Sequence, residues 1–319
     1  MDTPLYPLLF QSNIRTLIWG TEEWNVSAVP TASSVIANGC WTGTSLPQLI
    51  SQYPEQILGH KVAKEYNNQL PLLVKVIDAH DDLSIQVHPN DEMAQRLHGK
   101  RGKTEMWYIV DAIPGAHLYA GFCRKLTPEE YKQRVADGTI VDYLARHEVH
   151  RGDVFYLPAG RVHAICGGIK LAEVQQSSDI TYRIYDYNRL DFDGKPRQLH
   201  TDLAAEAINF EVLPEYRTDY NHPENNSAHC IDSDFFNVRV ININRKFHRN
   251  LMRFDSFVIN MCLEGECRIC IRSTQQEITL HEGYSCLIPA MMADYDIIPI
   301  HTEKGITTPS HCKLIDAFI

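Results

Sequence analysis

Residues 71–88, PLLVKVIDAHDDLSIQVH, set two short apolar runs on either side of a polar break at Ala79-His80-Asp81-Asp82. This pattern predicts two strands joined by a turn. In the second run, Gln86 and His88 alternate with Ile85 and Val87. Alternate residues of a strand share a face, so the glutamine and the histidine project together. Pro89 closes the run, and Pro89 to Gly99 reads as a short helix ending at glycine. TEMWYIVDA then reads as another strand. LTPEEYKQRVADG carries a helix start, with Thr127 as cap, Pro128 at the first position and Glu130 completing a capping box. Further helices are predicted at Leu46 to Ile57 and Asp202 to Phe210.

DVFYLPAGRVHAI reads as strand, tight turn, strand. From about Phe235 onward the short-strand pattern returns in NVRVINI, FVINMCLEGECRICI and EITLHEGYSCLIPA. Many short strands punctuated by Gly and Pro point to β-sandwiches or jelly rolls. The polar stretch PEYRTDYNHPENN contains two prolines. It places a linker at 215–226 between a first domain, 1–214, and a second β-domain, 227–319. An internal echo supports two related β-domains: RGDVFYLPAGRVHA at 151–164 resembles HEGYSCLIPAMMAD at 281–294.

Composition narrows the picture. The 319 residues suffice for one large or two medium domains with a buried core. With 44% hydrophobic and 22% charged residues, the chain reads as an ordinary soluble globular protein. A formal net charge of -10 argues against nucleic acid or an anionic membrane as the main partner, but leaves room for an acidic small molecule in a local basic pocket. MDTPLYPLLFQSN has neither a basic n-region nor a long apolar core, and no apolar run reaches membrane-spanning length. A cytoplasmic location is therefore the expectation. The nine cysteines are scattered and odd in number, which reads as reduced thiols. Cys262, Cys267 and Cys270 invite a metal reading, but Cys267 and Cys270 should face opposite sides of a strand. No feature sets an oligomeric state.

The chemistry concentrates around Gln86 and His88. A neutral imidazole is a good zinc ligand, and an amide oxygen is a less common one. Glu105, next to a strand start, and His163, just after Pro158-Ala159-Gly160, are the candidates to complete the set. Two imidazoles, a carboxylate and an amide oxygen suit zinc and other divalent transition metals. His117, His147, His150, His222, His229, His248, His301 and His311 sit in no convergent pattern and read as structural or surface residues.

The spacing from Gly152 through Pro158 and Gly160 to His163 resembles the second metal-binding motif of the cupins, and Gln86-Val87-His88 resembles the first, with glutamine in its leading place. Glu105 follows 17 residues after His88, further than in a generic cupin. SIQVHPND, GKTEMWY, PAGRVHA and SSDITYRIYDYNR together resemble the type I mannose-6-phosphate isomerases in their short bacterial form, from about Trp19 to His200 and more weakly beyond. The resemblance implies a mainly β fold of two cupin-like jelly-roll barrels with a few inserted α-helices. It implies one zinc ion per chain, held by Gln86, His88, Glu105 and His163, and conversion of mannose 6-phosphate to fructose 6-phosphate. There are departures. The family's glycine pair after tryptophan is Trp19-Gly20-Thr21 here, and the C-terminal copy has Asp294 where the first copy has His163. The second β-domain is accordingly expected to bind no metal.

An aldose–ketose conversion moves a proton between two carbons through a cis-enediol. It calls for a base, for stabilisation of a developing oxyanion, and for recognition of a phosphate. Arg183 matches the family's catalytic arginine and is preferred over Arg189. Lys103, predicted to share a strand face with Glu105, is assigned to substrate binding, at the phosphate or a sugar hydroxyl. The base is left among Glu173, a water on the metal, and Lys103 with a pKa lowered by burial. Glu173 has a plainer reading as a partner of Lys170 or Arg183. Asp186 and Tyr187 are expected to orient Arg183, and Trp107 to pack the barrel. Two other classes compete: a non-catalytic metal-binding cupin that binds sugars or regulates transcription, and a metal-dependent dioxygenase. The complete ligand set and Arg183 speak against the first. Gln86 and the distant Glu105 speak against the second.

Overall fold

Strands Leu72–Ala79 and Ile85–Val87 flank the polar turn, and the helix Asp91–His98 follows. Asn90 caps that helix by accepting from the Met93 N–H at 2.9 Å, and Gly99 ends it in the left-handed region. This computed structural model describes residues 5–221, 223–303 and 306–319, so His222 lies outside the described residues. The chain is mainly β and forms two units. One comprises Ile14–Glu23 and Val74–Thr218. The other comprises the N-terminal residues through Asn13, Trp24–Leu73 and Asp219–Ile319.

The first unit is built around two antiparallel sheets. One runs in the order Ile14–Leu17, Gly20–Val26, Leu72–Ala79, Ile169–Gln176, Glu105–Ala112, Val154–Leu157. The other runs Tyr182–Tyr185, Ile85–Val87, His163–Ile165, His117–Phe122, Leu144–Glu148. Their facing sides share an apolar cluster that includes Ile77, Trp107, Phe155 and Leu171 from the first sheet and Leu118, Ala120 and Ile165 from the second. The far side of the second sheet, with Ile85, Val87, Ala164 and Tyr182, packs against Met93, Tyr131 and Ala204 from helices. The apolar residues of the Ile85–Val87 strand therefore point at the helical layer, and Gln86 points between the sheets. Gly20 permits close approach at the edge: a Cβ there would lie 2.1 Å from the Asp78 carbonyl oxygen.

Thr127 Oγ1 accepts from the Glu130 N–H at 3.1 Å and Glu130 Oε2 from the Thr127 N–H at 2.8 Å, completing the capping box of the Pro128–Ala136 helix. The helix predicted over Leu46 to Ile57 is divided into Leu46–Gln52 and Pro54–Leu58. Pro54 has no N–H to continue the first helix, and Tyr53 before it leaves helical geometry at φ -135 and ψ 54. The helix predicted from Asp202 spans Thr201–Ala207 and stops where Ile208 becomes extended.

In the other unit a ten-stranded sheet contains the long strand Val258–Ile271. Cys267 is buried and Cys270 half-buried, and all nine cysteines are free thiols. Asp294 opens the strand Asp294–Glu303 and pairs with His248 at 2.6 Å. Among the described residues, no helix is long and apolar enough to cross a membrane.

Candidate active site

Between the two sheets of the first unit, His88, Glu105 and His163 converge. Their ligand atoms lie within 4.8 Å of one another, and all three side chains are 1% exposed. His163 opens its strand and pairs in register with Gln86 on one side and Ala120 on the other. Glu105 opens the facing strand. The insertion between His88 and Glu105 is the Asp91–His98 helix and a short return. Along that return the Lys103 N–H donates to the Pro89 carbonyl at 3.1 Å and the Thr104 N–H donates to Gln176 Oε1 at 2.8 Å.

Both imidazoles are held in one tautomer. His88 Nδ1 donates to the Ile180 carbonyl at 2.8 Å and His163 Nδ1 to the Arg161 carbonyl at 2.9 Å, because a carbonyl can only accept. Each ring thus turns a bare Nε2 toward Glu105, at 3.4 Å from Oε2 for His88 and 3.2 Å from Oε1 for His163. Burial, reinforced by the Lys103 charge, pushes His88 down to about 3, and burial lowers His163 as well, so both rings are neutral. For Glu105, burial works to raise the pKa. The charges of Lys103, His163 and His88 outweigh it and hold the carboxyl well below its usual range.

These residues fit a divalent ion. Neither Glu105 oxygen accepts an aligned hydrogen bond although both are buried. The set already attracts a cation, since Lys103 Nζ lies 2.8 Å from Glu105 Oε2 and 3.0 Å from His88 Nε2. Backbone carbonyls that fix the far nitrogen of each imidazole are the usual support of metal-binding histidines. Gln86 Nε2 lies 3.4 Å from His163 Nε2, and a half-turn of the amide presents its oxygen at the same place.

Glu173 lies opposite Trp107 on the neighbouring strand. Trp107 is fully buried and donates from Nε1 to Glu173 Oε2 at 3.0 Å, so it packs the interior and also fixes the carboxylate. Glu173 Oε1 lies 3.2 Å from Lys75 Nζ and 3.8 Å from Lys103 Nζ. Its partners are thus these two lysines, neither Lys170 nor Arg183. Burial first and the Glu105 charge second raise the Glu173 pKa, against the opposing charges of Lys75 and Lys103. Lys75, also 3.3 Å from Glu22, is a buried member that the sequence did not single out. Burial would lower its pKa, but Glu173, Glu22 and Glu105 outweigh that and raise it. Lys103 precedes the strand that Glu105 opens instead of sharing its face, and its ammonium nevertheless lands on the same cluster.

Arg183 pairs in register with Gln86, so His163, Gln86 and Arg183 form one row across three strands. The expectation that Asp186 and Tyr187 orient Arg183 is corrected. Asp186 binds Arg189 and Arg197, and the Tyr187 ring lies under Arg189 at 5.3 Å. Arg183 Nη1 donates instead to the Gln198 carbonyl at 3.0 Å, and its backbone N–H to His200 Nδ1 at 3.1 Å.

The family described as phosphomannose isomerase type I, catalytic domain, matches residues 17–108, and mannose-6-phosphate isomerase, cupin domain, matches residues 226–298. The mannose-6-phosphate isomerase ManA of Bacillus subtilis is 33% identical over 310 residues, covering 91% of this chain and 95% of its own. The chain belongs to the type I mannose-6-phosphate isomerases. Members of this family are aldose–ketose isomerases with a cupin-type fold. The crystal structure of the mannose 6-phosphate isomerase from Bacillus subtilis superposes with a TM-score of 0.85 at 29% identity, covering 99% of this chain and 100% of that one. A phosphomannose isomerase from Salmonella typhimurium, solved as a substitution variant, shares the fold at a TM-score of 0.77 and 16% identity, covering 98% of this chain and 99% of its own.

Proposed function

We propose that this chain interconverts mannose 6-phosphate and fructose 6-phosphate with one zinc ion held by Gln86, His88, Glu105 and His163, through a cis-enediol intermediate. The observation that carries the reading is the buried His88–Glu105–His163 set beside the Glu173–Lys103 pair, in a chain of this family. When bound, the ion supplies Lewis acidity that polarises the sugar's carbonyl and hydroxyl oxygens. The neutral imidazoles and the ionised Glu105 are in the protonation states that a ligand set needs.

Glu173 is the base of this scheme. It takes the proton from carbon 2 of the open-chain aldose and returns it to carbon 1. Trp107 fixes Oε2, and Oε1 faces the lysines. The raised pKa of Glu173 brings it closer to the working range of a general base. Lys103 donates to a substrate oxygen beside Glu105. Arg183, one strand beyond Gln86, stabilises negative charge at the open end of the row. The two β-units are read as two cupin-like jelly-roll barrels, of which the one containing 74–218 carries the site.

A coupled assay that detects fructose 6-phosphate formed from mannose 6-phosphate tests the reading, run with chelator and with zinc restored. Turnover that is lost on chelation and regained with zinc is expected. No fructose 6-phosphate above background from metal-loaded protein would sink it.

A further inference from the structure

The insertion between His88 and Glu105 must bring the chain back to the metal set, and its last stretch, Gly99 to Thr104, lies in neither helix nor strand. A segment without regular structure still has to satisfy its backbone groups. Here side chains and loop atoms meet them one by one. Ser178 Oγ donates to the Arg101 carbonyl at 2.9 Å, the Gly102 N–H donates to Asp91 Oδ1 at 2.7 Å, and the Lys103 N–H donates to the Pro89 carbonyl at 3.1 Å. The return also packs closely on the start of the helix. A Cβ on Gly102 would lie 2.6 Å from both the Asn90 carbonyl carbon and the Asp91 nitrogen.

Thr104, between Lys103 and Glu105, is 1% exposed and fixed at three atoms. Its N–H donates to Gln176 Oε1 at 2.8 Å, its carbonyl accepts from the Gln176 N–H at 3.0 Å, and its Oγ1 accepts from the Ala159 N–H at 3.3 Å. Ala159 belongs to the turn that delivers His163. Between the strands Ile169–Gln176 and Glu105–Ala112 the register ends with Gln175 opposite Glu105. One residue further, the side-chain amide of Gln176 takes over as partner of the Thr104 N–H.

The same amide reaches the helix. Gln176 Nε2 donates to Asp91 Oδ1 at 3.1 Å, so a single carboxylate oxygen holds both Gln176 and Gly102. Gln176 is buried and Asp91 half-buried. Hydrogen bonds to an ionised carboxylate are roughly twice as strong as neutral ones. Asp91 therefore ties together the helix start, the return and the strand that carries Glu173. The placement matters because Glu105 opens its strand with no regular structure before it. Its oxygens nevertheless stand 3.4 Å and 3.2 Å from the two imidazoles and 2.8 Å from Lys103 Nζ. A set this close keeps its geometry only if the backbone that carries it is held by its surroundings.

We propose that Gln176 and Asp91 are positioning residues of the active site. Acting through Thr104 and Gly102, they fix the return segment so that Lys103 and Glu105 meet at the metal set. This rests on the isomerase reading given above. A network that served folding alone would, on its loss, lower Tm without changing the zinc affinity or the turnover of the folded protein.

The test uses the full chain at temperatures well below Tm. Zinc affinity is measured by competition with a chelator, without substrate, and kcat on mannose 6-phosphate is measured at zinc saturation. Gln176→Met, which keeps the length and loses both polar atoms, should weaken zinc affinity and lower kcat, each by about tenfold or more. Asp91→Ala should act in the same direction, and at a half-buried helix start it carries the test if Gln176→Met does not fold. Asp91→Asn keeps an acceptor in the same place and should hold both quantities within about threefold of wild type. Asn90→Ala removes the helix cap without touching Gln176 or Asp91, and should lower Tm while zinc affinity and kcat stay within about twofold. Zinc affinity and kcat within about twofold of wild type in both Gln176→Met and Asp91→Ala would overturn the proposal. So would losses in Asn90→Ala or Asp91→Asn as large as those in Asp91→Ala. If zinc affinity follows Gln176 and Asp91 but no phosphosugar is isomerised, the positioning of Glu105 stands and the isomerase reading falls. If isomerisation is present and neither zinc affinity nor kcat responds to the two residues, the reverse holds.

Discussion

At the scale of single residues, the interior of the first unit sets two carboxylates against two lysines and tunes them apart. Glu105 is held ionised by Lys103 and the two histidines, and Glu173 is pushed the other way by burial and by Glu105. Loading a divalent ion onto Glu105 offsets the second of these causes and leaves burial acting. A base works unprotonated, so activity should be present above the folded pKa of Glu173 and decline as pH falls through it. The acid limb of kcat is therefore expected above the ordinary glutamate value of about 4.3. Glu173→Gln should remove that limb and lower kcat by about 10²–10⁴-fold with little change in KM, as pH-resolved kinetics would show. A Gln variant that keeps the limb would assign it to another group. Lys75→Met leaves Glu173 and Glu22 without their shared buried cation and should destabilise the protein by about 3–5 kcal/mol in denaturant unfolding. Adding Glu173→Gln should recover part of that loss, since the two residues are in contact. The shared face of Gln86 and His88 could be read from strand alternation, whereas Glu105 and His163 joined them as ligands only through the family resemblance. Lys75 could not be read: within LLVKVIDA a lysine looks like an interruption, and only the neighbouring strand of the same sheet supplies the Glu173 carboxylate that makes its burial tolerable. Asp186 was legible as a neighbour of arginines but not as the partner of Arg197, because the hairpin that joins them has no apolar periodicity to read.

Among the elements, the strand Ile85–Val87 shows how pattern and orientation separate. Alternation predicts that Gln86 and His88 share a face, and they do. It does not say that the polar face is the inner one. The outer face is also buried, under the helices that carry Met93, Tyr131 and Ala204, so both sides of this strand are interior. The turn Pro158-Ala159-Gly160 is the second such element, since it delivers His163. Gly160 has φ +88, and a Cβ there would sit 2.8 Å from the Ala207 carbonyl oxygen. Its N–H donates to the His88 carbonyl at 2.9 Å and its carbonyl accepts from the Asn209 N–H at 2.8 Å. The turn is thereby tied to one ligand while it positions another. Gly160→Ala should destabilise by about 1–3 kcal/mol. It should also weaken metal retention, measured as metal content after dialysis against a graded chelator series. Unchanged retention in a destabilised variant would show that the turn serves folding without placing the ligands. The division of the Leu46 to Ile57 helix at Pro54 was open to a sequence reading that weighted proline above apolar spacing.

On the scale of the whole molecule, chain order and spatial grouping part company. Residues 24–73 follow the first strands in sequence but group with 219–319, while 14–23 join 74–218. Hydrophobic periodicity carries no information about which sheet a strand joins when the choice is set by contacts far along the chain. The proposed metal set of Gln86, His88, Glu105 and His163 draws on three separated segments, so an ion bound there would crosslink parts of the fold that the unfolded chain does not hold together. Binding to the folded state alone stabilises it by an amount that grows with the logarithm of ligand excess, about 2.7 kcal/mol at a hundredfold excess over Kd. Chelation should consequently lower Tm and activity together, and zinc should restore both, activity saturating as the site fills while Tm keeps climbing with the logarithm of excess zinc. The Tm rise must begin over the zinc range in which activity returns if one buried ion does both jobs. A Tm that stays constant while activity is lost and the metal is shown to be gone would place the activating ion outside the His88–Glu105–His163 set. His88→Ala separates the cases further: it should abolish the zinc-dependent rise in Tm along with turnover, whereas an ion held elsewhere would still stabilise that variant.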